Sequence, residues 1–176
     1  LKEWPEGGPE LLWMVSGLGE GYSSVSIAEG HLYTSGMIEK QTYVFAFDLN
    51  GKQVWKKPNG SSWETNLSYA RSYTGSRSTP TYENGVVYHL GETGRLAAFD
   101  YKTGKEIWTL ELRETFDAEI PEYGYSESIY IDGDRLYCNP AGEKGFMVCL
   151  NKGNGELIWA NTEIRGTVGF SSPIVA

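Results

Sequence analysis

The chain has 176 residues, among them 12 Tyr, 6 Trp, 6 Phe and 22 Gly, and carries a formal net charge of −8. That length suffices for one domain with a sizeable core, and an aromatic- and glycine-rich mix favours short strands joined by tight turns. The acidic balance argues against a nucleic-acid or anionic-membrane surface, which needs clustered Lys and Arg, and no apolar run approaches the roughly 18–20 residues of a membrane-spanning helix.

In chain order, the opening LKEWPEGG lacks Met and leaves room for a removed upstream segment. Leu11-Leu12-Trp13 reads as an outer strand without its sheet, predicted over 11–14. Gly17, Gly19 and Gly21 spell GLGEG, which superficially suggests a phosphate loop but has no strand before it and no helix after it. Then comes a repeat. VFAFDLNGKQVW ends at Trp55, LAAFDYKTGKEIW at Trp108 and MVCLNKGNGELIW at Trp159, with Trp-to-Trp spacings of 53 and 51 residues.

Each copy reads as four antiparallel strands, in the second copy near 77–82, 86–90, 95–100 and 105–110. The first hairpins turn at Glu29-Gly30, Glu83-Asn84-Gly85 and Asp132-Gly133, dipeptides that supply positive φ. The later turn runs from Asp100 to Gly104, where the Asp caps backbone N–H groups and the Gly takes the left-handed position. Blades are predicted over 21–57, 75–110 and 124–160, with a lone inner strand over 170–176. No helical period is evident, and the acidic run 111–122 reads as a solvated loop.

Cys149 fills the slot of Ala46 and Ala98, and Cys138 lies on the partner strand, so two buried thiols are expected rather than a disulfide. No metal-binding or redox Cys motif is present. His31 and His89 are expected to pack rather than catalyse. Asn59 and Asn66 begin glycosylation sequons by spelling alone.

Four-stranded units of about 50 residues match the blades of a β-propeller. Ala98-Phe99-Asp100, Thr103-Gly104-Lys105 and Trp108 resemble the tryptophan-docking pattern of the PQQ-like, quinoprotein alcohol dehydrogenase-like propeller repeats. The openings GYSS, SRSTP, GYSES and FSSP also look like first strands of that family. The resemblance implies that Trp55, Trp108 and Trp159 pack on small residues of the neighbouring blade, such as Gly104 and Ala98. Three blades do not close a ring of about four to eight. The chain is therefore expected to be part of a seven- or eight-bladed propeller, or to close with further blades or chains.

Strand alternation places the long connections 56–76, 109–124 and 160–169 on one rim, the candidate functional face. Counting back ten residues from Tyr33, Tyr88 and Tyr137 gives Ser23, Ser78 and Glu127, expected to line the central channel. One position earlier stand Tyr22, Arg77 and Ser126. Arg77 and Glu127 break the repeat, either as a ligand-binding pair or as a buried ion pair, with Glu127 the only candidate ligand for a cation. Arg71, Tyr73, Trp63, Tyr123 and Tyr125 join them on the rim, a set suited to a flat ring or a sugar, or to packing loops on blades.

The family resemblance implies two functions. One is a scaffold that binds a protein partner or small polar ligand, similar to the outer-membrane assembly lipoprotein of this fold. The other is a PQQ-dependent alcohol or sugar dehydrogenase, in which a Trp stacks on the quinone, calcium polarises its carbonyl and an Asp acts as base. The adjacent Cys pair of those enzymes is missing here, and no motif transfers their catalytic roles. The exported relatives imply a periplasmic or extracytoplasmic location.

Overall fold

Turn chemistry and alternation together produce three separate four-stranded sheets. A computed structural model describes residues 3–66, 68–69 and 73–174. The first sheet comprises β1 (Ser26–Ala28), β2 (His31–Ile38), β3 (Gln41–Asp48) and β4 (Gln53–Ser61). The second comprises β5 (Thr81–Glu83), β6 (Val86–Leu90), β7 (Arg95–Asp100) and β8 (Glu106–Glu111). After the short helix α1 (Leu112–Phe116), the third comprises β9 (Tyr130–Asp132), β10 (Arg135–Cys138), β11 (Met147–Asn151) and β12 (Leu157–Asn161). Each is a simple meander, every pair antiparallel.

The repeat is visible across the strands. Tyr33, Ala46 and Trp55 stand side by side on β2, β3 and β4, as do Tyr88, Ala98 and Trp108, and then Tyr137, Cys149 and Trp159. A bulge follows the small residue in every sheet. The forward face of the first sheet buries Tyr33, Ala46 and Trp55 against Val87, Ala97 and Phe99 of the second. That of the second buries Tyr88, Ala98 and Trp108 against Leu136, Cys138, Val148 and Leu150 of the third.

Two of the three repeat indoles cap the next unit's turn. Trp55 Nε1 donates to Tyr101 O at 2.8 Å and Trp108 Nε1 to Lys152 O at 2.9 Å. Their rings lie where a Cβ on Gly104 or Gly155 would sit, at 2.7 and 2.9 Å. Both glycines hold positive φ, so two constraints exclude a side chain there. Trp159 meets no following sheet among the described residues and stays 40% exposed.

Several expectations change. Residues 11–14 and 170–174 form no strand, because no strand runs beside them to pair with. Trp13 nevertheless donates to Leu49 O at 2.8 Å and covers Gly51, repeating the contact of Trp55 and Trp108. The first strand of the second sheet is regular only from Thr81, since the stretch before it is bonded to neighbouring inner segments and Pro80 has no N–H. The acidic stretch 111–122 is not a plain solvated loop. It contains α1, whose Leu112 and Phe116 lie one turn apart and are buried against the second and third sheets.

Cys138 pairs with Val148 and Cys149 with Tyr137, so the two thiols point to opposite faces of the hairpin and are free and buried. GLGEG is a close backbone contact: a Cβ on Gly19 would lie 1.9 Å from Met37 O, and one on Gly21 2.8 Å from Ser76 O. Asn59 is fully buried and bonds His89 Nδ1 at 2.8 Å and Arg95 Nη1 at 2.9 Å, so its sequon is closed to a glycan.

Sibling tyrosines supply an internal control. Tyr33 Oη is buried without a hydrogen-bond partner among the described residues, whereas Tyr88 Oη donates to Lys152 O at 3.2 Å. Tyr33→Phe is expected to be neutral or to stabilise by up to about 1 kcal/mol, and Tyr88→Phe to cost about 1 kcal/mol. Urea midpoints of the two variants check the order.

Candidate functional site

The inner segments share one parallel backbone bridge, where Tyr22 N donates to Ser76 O at 2.6 Å, and beyond it are stitched by hydroxyls. Ser24 N donates to Thr79 Oγ1 at 3.1 Å, Thr79 N to Ser128 Oγ at 3.1 Å, and Ser128 N to Ser172 Oγ at 2.8 Å. Ser26 Oγ and Thr81 Oγ1 reach forward to Pro80 O and Ile129 O, at 2.7 and 2.8 Å. The same register therefore holds through all four segments. Two residues before each stitched position stand Tyr22, Arg77, Ser126 and Phe170.

These four side chains converge. With Tyr73 and Tyr123 from the long connections they line a cavity of about 630 Å3. The stitched positions stay Ser or Thr, while the converging ones read Tyr, Arg, Ser and Phe. Packing repeats from unit to unit; the lining of this mouth does not.

Arg77 sits at its centre. Nε donates to Tyr123 O at 3.0 Å and Nη2 to Tyr73 O, so the guanidinium ties two connections together. It lies 5.0 Å from the Tyr22 ring and 6.0 Å from that of Trp63. The Tyr123 ring bridges Trp63 at 5.8 Å, Tyr73 at 6.4 Å and Phe170 at 5.7 Å. Ser126 Oγ is buried and has no hydrogen-bond partner among the described residues.

The structure divides the sequence candidates. Arg77 lines the mouth, and Trp63 is buried behind it against Arg77 and Tyr123. Arg71 lies outside the described residues. Tyr125 belongs to the core: its hydroxyl donates to Pro140 O at 2.8 Å and burial raises its phenol pKa. Glu127 does not line the channel, because adjacent residues on an extended strand face opposite ways and Ser126 takes the axial direction. Its carboxylate turns into the third sheet, where Asn139 donates from its backbone N at 2.7 Å and from Nδ2 at 2.8 Å.

In the first sheet Ser35 N makes the matching bond to Ser23 Oγ at 3.3 Å, so the acid fills a structural slot. Burial pushes Glu127 up to about 7 against the opposite pull of Asn139. No ion pair joins Arg77 and Glu127 among the described residues. Phe170, which the sequence reading took only for part of an inner strand, is the fourth member of the Tyr22–Arg77–Ser126 column.

A second cavity of about 610 Å3, beyond α1, is lined by acids including Asp117, Glu119, Glu122 and Glu143. Among the described residues no group of three or more His, Cys, Asp or Glu is arranged to hold a metal ion.

A family model described as outer membrane protein assembly factor BamB matches residues 40–176. The chain is 29% identical over 97 residues to outer membrane protein assembly factor BamB of Salmonella typhimurium, covering 55% of this chain and 21% of that one. It is 26% identical over 139 residues to the quinoprotein ethanol dehydrogenase of Pseudomonas putida, covering 76% of this chain and 22% of the enzyme. A solved europium-containing methanol dehydrogenase superposes with a TM-score of 0.61 at 18% identity, over 85% of this chain and 26% of that chain. The chain thus spans about a fifth of the length of these curated relatives.

Proposed function

The chain belongs to the family described as outer membrane protein assembly factor BamB, a family of PQQ-like repeats, and on that premise we propose that it is a binding scaffold whose long-connection rim holds a partner at the aromatic mouth around Arg77. One observation carries this reading: the side chains that differ from sheet to sheet, Tyr22, Arg77, Ser126 and Phe170, are those brought to one point. Loop-borne Tyr, Trp and Arg on a rigid scaffold have the composition of recognition surfaces. Pairing Trp13, Trp55 and Trp108 with the next glycine turn gives that scaffold its rigidity. An extracytoplasmic bacterial location follows from the relatives and is part of the proposal. No described helix is long and apolar enough to cross a membrane.

The second reading, a PQQ-dependent dehydrogenase, is favoured by the likeness to the quinoprotein ethanol dehydrogenase. The mouth offers flat rings and a cation to a planar anion, but the calcium such an enzyme uses finds no fit: the one candidate ligand, Glu127, is turned away and bonded to Asn139. No step is derived through that group.

To test between them, PQQ and calcium are added to the full-length protein, with melting temperature and dye-coupled alcohol oxidation as readouts. The scaffold reading expects neither to change. A melting shift of several degrees with turnover would replace it with the dehydrogenase.

A further inference from the structure

Resting on that reading of the mouth, we infer that its partner is a protein presenting an extended segment in which a carboxylate side chain stands beside an aromatic one. Tyr22, Tyr73 and Phe170 are 56%, 50% and 65% exposed, so the cavity is wide and its walls are unfinished. A small-molecule site typically encloses 70–90% of its ligand. Here the partner's own surface must complete the walls, as interface rims do around a central anchor.

The charge of the segment follows from the floor. Arg77 is the one cation among the described lining residues, in a chain of net charge −8. A guanidinium has five N–H donors, and the bonds to Tyr123 O and Tyr73 O use two while fixing its plane. Ser126 Oγ adds a buried hydroxyl without a partner among the described residues, which costs stability until an acceptor arrives. A guanidinium and a hydroxyl on the lining of one aromatic mouth fit a carboxylate carried next to a ring, and aromatic neighbours strengthen such a charged contact by excluding water.

The probe is the blocked peptide acetyl-Ser-Glu-Phe-Ser-amide, titrated calorimetrically into the full-length protein. Two controls carry Gln for Glu or Ala for Phe. The parent is expected to bind at least tenfold more tightly than either control, and added salt should weaken the two peptides that keep Glu and leave the Gln control unchanged. Arg77→Met should erase the preference for Glu over Gln. Because Arg77 also staples two connections, Ser126→Ala and Phe170→Ala are measured alongside, with five- to tenfold losses expected at a melting temperature unchanged for Phe170→Ala and unchanged or raised for Ser126→Ala.

Equal binding of the Glu and Gln peptides, or no peptide binding at millimolar concentration, overturns the inference. If benzoate binds in a Phe170-dependent way while no peptide does, the mouth is still a ligand site and only the peptide assignment falls. If benzoate also fails, the reading of the mouth falls with it.

Discussion

Trp55→Ala is expected to cost about 3–5 kcal/mol in a denaturant melt, whereas Trp159→Ala should cost about 1 kcal/mol or less. Trp55 is 6% exposed, touches the rings of Tyr33 and Phe99 at centroid distances of 6.0 and 6.2 Å, and donates its N–H to the next sheet. Among the described residues Trp159 has only Tyr137 as a ring partner, at 6.1 Å, and it is 40% exposed. The same residue type in the same repeat slot therefore differs only in whether a following sheet receives it.

The glycine beneath gives the sharper test. Gly133 and Gly104 both hold positive φ, at 56° and 65°. A Cβ at Gly133 meets nothing within 4 Å, while one at Gly104 would meet Trp55 Cδ2 at 2.7 Å. Gly133→Ala should then cost only the left-handed penalty of about 1–2 kcal/mol. Gly104→Ala should cost about 2 kcal/mol more from overpacking. In a Trp55→Ala background most of that excess should vanish, leaving the Gly133 value plus whatever Lys57 Cγ, 2.9 Å from the same Cβ, still costs. Simple additivity of the two substitutions would show that the indole and the turn are not coupled.

The blades were legible because packing repeats. A Trp every 51–53 residues, a small residue across from it and a Gly in the following turn all serve one interface, so the sequence repeats wherever the interface does. The site was only half legible for the opposite reason. Divergence between siblings flagged Arg77, but the register of the inner segments was read one residue out for Glu127. Those segments pair through hydroxyls rather than a ladder, and no hairpin of their own fixes which face looks inward. The column Tyr22, Arg77, Ser126 and Phe170 was recoverable from the Ser/Thr two residues after each, a spacing common to all four openings. The helix α1 escaped because five residues offer too little of a 3.6-residue period, and its acids masked Leu112 and Phe116.

Two buried titratable groups pull stability in opposite directions with pH. Burial raises Glu127 from 4.5 to about 7 and lowers His89 from 6.5 to about 4. The His89 ring is held through Nδ1 by Asn59, and its Nε2 faces Ser78 without a well-formed bond. Between pH 4.5 and 7 the folded chain keeps the Glu127 proton that the unfolded chain has released. Its contribution is thus fully present below 4.5 and is lost as pH rises through 7.

For His89 the unfolded chain takes up a proton below 6.5 that the folded chain refuses until about 4. Its contribution is present above 6.5 and is lost as pH falls through 4. At about 1.4 kcal/mol per pH unit each amounts to roughly 3 kcal/mol, and between 4.5 and 6.5 they offset one another. Glu127→Gln should unmask the histidine, with stability relative to wild type rising by roughly 3 kcal/mol from pH 4.5 to 7. His89→Gln should do the reverse, with stability relative to wild type falling by a similar amount from pH 4 to 6.5. Every other group contributes equally to all three proteins, so the differences isolate these two. Difference curves that stay flat from pH 4 to 7 would mean that neither group titrates in the folded chain as its burial requires.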